Sequence, residues 1–194
     1  PNQVAFDALK RIYRYVAGRP HLPITYPRQS LNGTTDLKYM VTPGNYKTLT
    51  VPNFPCNFND AELGRCFQTS QAYYCVMIVV NSVVVYMKIR TTEAPMLHTT
   101  DSELKANLEG SKELIPAREI CQFLGVVLDE PSTMYMDNRA VHEIVQSGRI
   151  TPRVKHASYP IAFLQHYNNI VFKPVLIPTD VMMADMGTKP NTPG

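Results

Sequence analysis

The chain has 194 residues, 44% of them hydrophobic and 18% charged, with a net charge of +3. That is enough apolar material for one sizeable core, and it excludes a highly charged disordered chain. No apolar run reaches ~18 residues without a charge, so no membrane-spanning helix is expected. The first residues carry Lys10, Arg11, Arg14 and Arg19 through a helical pattern, which does not read as a signal peptide. Pro1 leads us to expect a fragment or a processed product. Cys56, Cys66, Cys75 and Cys121 lack paired metal-ligand spacing, so reduced thiols in an intracellular protein are expected.

Taken in order, Phe6, Leu9, Tyr13 and Val16 repeat at helical spacing, and Gly18 and Pro20 end that helix. Residues 19–50 are rich in Pro, Thr, Asn and Gly and read as irregular linker with short extended pieces. Residues 51–60 suit a first strand, although Pro52 and Pro55 restrict pairing at its start. Residues 71–80 and 83–90 are β-branched and aromatic and predict a hairpin turning at Asn81-Ser82. Ser102 to Leu114 predicts a helix stopping at Pro116, and Ala117 to Leu124 a second one ending at Gly125. Ser132 to Met136 is a strand. Asn138 to Gln146 is a helix with Val141, Ile144 and Val145 inward and Gly148 as C-cap. Ser158 caps another helix with Pro160 in its first turn. Asn169 to Ile177 is a last strand, and Thr179 or Asp180 caps a final helix carrying Asp185.

Charge is uneven along the chain. Residues 1–50 hold seven Lys/Arg and two acids, residues 51–148 seven Lys/Arg and twelve acids, and residues 149–194 five Lys/Arg and two acids. An acidic centre with basic flanks suits metal ions in the middle and phosphates beside them, although ordinary surface variation gives the same pattern.

Four acids sit in contexts that suit a carboxylate ligand. Asp60 ends the first predicted strand, Glu103 lies near a helix start, Asp137 follows the strand Met134-Tyr135-Met136, and Asp185 lies in Val181-Met182-Met183-Ala184-Asp185. Carboxylates gathered in this way hold divalent ions, and two-metal sites hydrolyse phosphodiesters. Each has an ordinary explanation too. A strand-end Asp forms turns or caps helices, and an acid near a helix N-terminus is favoured by the dipole. Asp101 reads as dipole support.

The order Asp, Glu, Asp, Asp resembles ribonuclease H, and the wording is closer to the ribonuclease H domain of copia-type retrotransposon polyproteins. The residues that carry this are Asp60-Ala61, Thr100-Asp101-Ser102-Glu103-Leu104, Asp137-Asn138, Lys155-His156, Ala184-Asp185 and Thr188-Lys189. The resemblance covers roughly residues 51–190, and Ala8 to Gly18 is similar to the helix joining reverse transcriptase to ribonuclease H. The chain departs from the family in Ala72-Tyr73-Tyr74-Cys75-Val76, where a Ser/Gly segment is usual. It also lacks the Trp usual after the hairpin turn, and Val175 stands where relatives have a His.

The resemblance implies an α/β fold, a five-stranded mixed sheet with three antiparallel then two parallel strands and helices on both faces. It implies a connection-like helix and linker over 1–50, a ribonuclease H-like domain over 51–190, and a tail over 191–194. Asp60 and Asp137 would end adjacent strands. Close carboxylates repel without a cation between them, and an all-oxygen set suits two Mg²⁺, or Mn²⁺ as substitute. The implied activity is endonucleolytic hydrolysis of the RNA strand of RNA–DNA hybrids, with 2′-hydroxyl contacts choosing the strand.

Asp60, Glu103, Asp137 and Asp185 would be both catalytic and metal-binding residues. Asn138, Arg149, Arg153, Lys155 and His156 would face nucleic acid, with Asn138 supporting the site or touching substrate. His156 is open to three roles: proton shuttle, helix-start packing or phosphate contact. The partners implied are the hybrid and the reverse-transcriptase part of the same polyprotein. The location implied is a cytoplasmic particle or the nucleus. Two rivals stand beside this reading: another nuclease of the same superfamily, and a binding or structural module. Proofreading exonucleases offer the Asp60-Ala61-Glu62 pattern but need a His or Tyr where Asp180 and Val181 stand. Integrases and transposases use a different acid order. A domesticated or degenerate module would bind nucleic acid or assemble without cutting.

Overall fold

The computed structural model describes residues 33–42, 45–63, 69, 71–148 and 152–189, without the side chains of residues 41, 42 and 152–154. The helix expected near the N-terminus and the tail lie outside the described residues. The strands are β1 (Thr34–Thr42), β2 (Asn45–Pro52), β3 (Cys56–Glu62), β4 (Gln71–Val80), β5 (Val83–Pro95), β6 (Ser132–Met136) and β7 (Phe172–Leu176). The helices are α1 (Thr99–Phe123), α2 (Arg139–Ser147), α3 (Ser158–Tyr167) and α4 (Asp185–Thr188).

The main sheet has five strands in the order β5-β4-β3-β6-β7. β5, β4 and β3 run antiparallel, and β3, β6 and β7 run parallel. This is the ribonuclease H-like sheet that the resemblance implies. The β4–β5 turn is tight because Asn81 and Ser82 both take positive φ, 52° and 62°, whose twist matches the flanking strands. Pro174 is tolerated in β7 because, among the described residues, β7 is an edge strand paired with β6 alone.

Strand alternation divides the core in two. Ala61, Tyr74, Val76, Ile78, Met134 and Met136 face one way, where Leu104 and Leu114 of α1, Val141 of α2 and Ile161 of α3 cover them. Cys56, Phe58, Cys75, Met77, Val79 and Tyr135 face the other way, and Phe58 stacks on Tyr135 with ring centroids 4.5 Å apart. That second face is covered by the β1–β2 hairpin through Leu37, Tyr39 and Val51, and by Met182, Met183 and Ala184.

The described part of residues 33–50 is therefore not irregular linker. It forms most of an antiparallel hairpin, with Leu37 paired to Leu49 and Thr35 to Val51. The expected first strand over 51–60 is likewise split: β2 ends at Pro52, and β3 starts at Cys56. Burial of one hairpin face decides this, because Leu37, Tyr39, Leu49 and Val51 alternate at period two and need a surface.

Other elements also differ from expectation. α1 runs unbroken through Pro116. Proline removes one hydrogen bond and crowds the preceding turn, but buried anchors hold the axis on both sides. Leu114 is in the core, and the Arg118 guanidinium donates to the Glu130 carbonyl at 3.0 Å and to Ser132 Oγ at 2.8 Å. A 3₁₀ turn, Pro152–Ala157, leads into α3, so Ala157 and not Ser158 holds the cap position. The last strand starts at Phe172, after a turn in which Asn169 has φ 61°. The single final helix becomes a 3₁₀ turn, Thr179–Val181, and the four-residue α4, because the intervening Met182, Met183 and Ala184 are drawn into the core. α2 is as expected, with Gly148 in the left-handed conformation at its C-terminus.

Candidate metal centre

Parallel neighbours carry their C-terminal ends to the same edge of a sheet. β3 and β6 are such a pair, with Phe58 opposite Tyr135. Asp60, near the end of β3, and Asp137, immediately after β6, therefore emerge together. α4 brings Asp185 beneath them. Carboxylate oxygens of Asp60, Asp137 and Asp185 all lie within 4.8 Å of one another. Asp60 is 4% exposed, while Asp137 and Asp185 are half-buried.

Glu103 arrives from the opposite layer, in the second turn of α1. Its carboxylate accepts a hydrogen bond from the Ala61 backbone N–H and feels the charges of Asp60, Asp137 and Asp185. It is 4% exposed. Burial, then Asp60 and Asp137, push its pKa from 4.5 to about 9. Asp60 is raised from 3.8 to about 7, by burial first and then by the charges of Asp185 and Asp137, with the Thr188 hydroxyl and Lys189 opposing the rise. Asp60, Asp137 and Asp185 are thus brought to one place, while Glu103 feels their charges from α1 without being among the carboxylates that lie within 4.8 Å of one another.

Two residues in the last turn moderate this charge. The Thr188 hydroxyl donates to Asp60 Oδ2, and Lys189 Nζ lies 2.5 Å from Asp185 Oδ2. Sequence reasoning assigns neither of them a role. A signal for both exists, since they fall within one helical turn of Asp185. Gly187 permits the close approach of α4: a Cβ there would lie 2.5 Å from Cys75 Sγ and 2.9 Å from Cys75 Cβ. Cys75 is the residue opposite Asp60 in the β3–β4 register. Burial and then the Asp60 charge lift its thiol to about 12.

Buried amides tie α1 to β3 beside Glu103. Asn57 Nδ2 donates to Asn59 Oδ1 at 3.2 Å, Asn59 Nδ2 to Asn107 Oδ1 at 3.2 Å, and Asn107 Nδ2 to the Glu103 carbonyl at 2.8 Å. Glu103, Asn107 and Gly110 lie on one face of α1 by their i, i+4, i+7 spacing. A Cβ on Gly110 would meet Asn59 Oδ1 at 1.9 Å, so that face sits directly on β3.

The residues expected at a nucleic-acid surface are placed less uniformly. Asn138 is the N-cap of α2, its Oδ1 accepting from the Val141 N–H at 3.2 Å. Lys155 is exposed. His156, 47% exposed in its side chain, puts Nε2 3.0 Å from Oδ1 of the buried Asp101. Asp101 is thus a partner of His156 as well as an acid at a helix start. Arg153 lies in the 3₁₀ turn with its side chain outside the described set, and Arg149 lies outside the described residues.

The donor set fits a hard divalent cation. Every ligand candidate is a carboxylate oxygen, as Mg²⁺ and Mn²⁺ prefer. Glu103 Oε2 and Asp185 Oδ1 are buried with no hydrogen-bond partner among the described residues. Such orphaned acceptors are costly unless a cation or water meets them.

No protein-family model matches the chain, and no curated protein matches it in sequence. Solved structures similar to it include LC11-RNase H1, isolated from compost by a metagenomic approach and solved in complex with RNA/DNA hybrid. That structure is 17% identical, with a TM-score of 0.48 over 69% of this chain and 92% of its own. The N-terminal RNase H domain of Rv2228c from Mycobacterium tuberculosis is 15% identical, with a TM-score of 0.49 over 69% of this chain and 89% of its own. RNase H1 from the halophilic archaeon Halobacterium salinarum is 14% identical, with a TM-score of 0.45 over 67% and 89%. The ribonuclease H-like architecture of this chain stands on its own strand order and directions.

Proposed function

We propose that this chain is a divalent-cation-dependent endonuclease of ribonuclease H type, hydrolysing the RNA strand of RNA–DNA hybrids. We also propose its derivation from a copia-type retroelement reverse transcriptase. The observation that carries the chemistry is the meeting of the Asp60, Asp137 and Asp185 carboxylates within 4.8 Å, with Glu103 beside them. Four acids so close are unfavourable for an empty site and favourable for a cation site. The hybrid and the retroelement origin rest on the motif resemblance.

In this reading Asp60, Glu103, Asp137 and Asp185 hold the ions. Bound divalent ions would activate water and stabilise charge on the reacting phosphate. Thr188 keeps the Asp60 carboxylate oriented. Lys189 pairs with Asp185, and would be free for phosphate or solvent if cations took its place. Asn138 fixes the start of α2, and with it the position of Asp137, and its amide nitrogen is left for substrate. Lys155, with Arg149 and Arg153, tracks phosphates, which positions the strand without reading it.

The second reading, a degenerate module that binds without cutting, is favoured by one feature. Lys189 and Thr188 already satisfy part of the acidic cluster from within the chain. A cleavage assay with Mg²⁺ or Mn²⁺ on hybrid, duplex RNA and duplex DNA separates the two. The expected result is cleavage of hybrid alone, abolished in Asp137→Asn. Binding without cleavage would select the degenerate module, and an Asp137→Asn variant that cuts at the normal rate would overturn the site.

A further inference from the structure

An apolar groove of about 480 Å³ opens between β5 and the C-terminal half of α1, on the helical face of the sheet. Ile78, Val80, Val85, Pro116, Ala117 and Ile120 line it. Of its lining, Ile120 is 60% exposed, and the residues that follow along the chain, Phe123 at 90% and Leu124 at 71%, are exposed apolar side chains too. Contiguous apolar surface of this kind marks an interaction site.

Three observations point to its occupant. The first is position. The Gly33 carbonyl accepts from the Asn53 N–H at 2.8 Å, and the Asn53 carbonyl accepts from the Asn81 N–H at 2.7 Å. Asn81 directly follows Val80, so the chain joins the described fold at the rim of the groove. The sixteen residues from 17 to 32 can span roughly 50 Å when extended, ample to reach any part of it. The second is pattern. Phe6, Leu9, Tyr13 and Val16 form an apolar stripe at helical spacing, and an isolated helix of that length is marginal in water without a surface to cover. The third is charge. Residues 1–18 carry Lys10, Arg11 and Arg14 against one acid, Asp7. Along α1 beyond residue 112 the acids are Glu113, paired with Lys88, and the exposed Glu119. The one base there, Arg118, is buried and turned towards Glu130 and Ser132.

We propose that this groove is the docking site of the chain's own residues 6–16, seated through Phe6, Leu9, Tyr13 and Val16. The inference does not depend on the chemistry at the acidic cluster. The segment would seal the exposed side of the α1–β5 layer.

Cys121 lines the groove and supplies a native reporter, while Cys56 and Cys75 are buried. Alkylation of the Cys121 thiol by iodoacetamide, read by peptide mass spectrometry, is compared between the full chain and a full-length Leu9→Asp/Tyr13→Asp variant. Docking predicts slow modification in the parent chain and a rate about tenfold higher in the variant, as for a site released from local protection. Equal rates would overturn the proposal. A Leu9→Cys variant gives a second readout under mild oxidation. A Leu9→Cys to Cys121 disulfide within one chain supports docking. The same bond formed only between two chains would assign the groove to a second copy and overturn the proposal as stated.

Discussion

Asp60→Asn in the cation-free protein tests whether the carboxylate cluster is congested. The folded state lifts Asp60 from 3.8 to about 7 and Glu103 from 4.5 to about 9. An acid whose folded pKa is raised binds its proton more tightly when folded. Its contribution to stability is full below the unfolded value and is lost as pH rises through the folded one. Each unit is worth about 1.36 kcal/mol, so Asp60 alone accounts for a ceiling of about 4 kcal/mol lost across roughly pH 4 to 8. Relaxation and water penetration reduce this to about 2–4 kcal/mol. Glu103 extends the decline to about pH 9, and its share overlaps with that of Asp60, because the Asp60 charge is one cause of its rise. Urea denaturation in EDTA at about pH 5, 7 and 9 should show the wild-type midpoint falling steadily. Asp60→Asn should exceed wild type by about 1 kcal/mol at about pH 5 and by about 2–4 kcal/mol at pH 9, with a flatter profile between. Added Mg²⁺ at ~10 mM should restore the wild type at high pH and leave the variant nearly unchanged, since only the intact site binds the ion. A wild-type midpoint independent of pH in EDTA would refute the reasoning, because four close acids cannot ionise together without cost.

Gly187→Ala places a methyl group 2.5 Å from Cys75 Sγ and should push α4 and Asp185 outward. The expected loss is about 1–3 kcal/mol of stability, with weaker Mn²⁺ binding by calorimetry out of proportion to that loss. Gly110→Ala drives a methyl group into the Asn59 carboxamide at 1.9 Å and should break the amide chain to Glu103. Leaving those buried amides unpaired costs about 1–3 kcal/mol, visible as a lower melting temperature with or without cation. Arg153→Ala/Lys155→Ala should lower the slope of log affinity against log salt by about 0.9 for each phosphate no longer neutralised, with selectivity for hybrid unchanged. An unaltered slope would return that segment to an ordinary solvated surface.

The sheet is largely legible in the sequence because its signals are local. Ala72 to Val80 and Val83 onward are β-branched and aromatic and meet at a two-residue turn, and β6 is a short apolar run between polar residues. The four acids are legible as words in order, and the parallel register of β3 and β6 turns that order into proximity. What escapes a sequence reading depends on contacts between residues distant along the chain. The β1–β2 hairpin is disguised by Pro, Thr and Gly, and only the far side of the sheet makes sense of Leu37, Tyr39, Leu49 and Val51. Tyr39 even reaches Val181, donating to its carbonyl at 2.5 Å. Pro116 signals a helix stop, but the Arg118 anchor to Glu130 and Ser132 overrides it. Nothing local hints that His156 finds Asp101, because that pair joins two elements 55 residues apart.

The carboxylate spacing is set by close packing on both sides of β3. On the helical side, Gly110 lets α1 settle onto Asn59, and the Asn57–Asn59–Asn107 chain then fixes the rotation of α1 about its axis. An apolar replacement of those amides could hold the layers as firmly, yet it would leave Glu103 free to turn. Directional hydrogen bonds specify an angle where dispersion contacts specify only a distance. On the other side, Gly187 lets α4 settle onto Cys75, the cross-strand neighbour of Asp60. One acid therefore comes from each covering layer, and two come from the sheet between them. A change in the packing of either layer moves Glu103 or Asp185 relative to Asp60 and Asp137. Cation affinity should thus respond to buried positions that touch no ligand atom, with Gly110 and Gly187 the two where the tolerance is smallest.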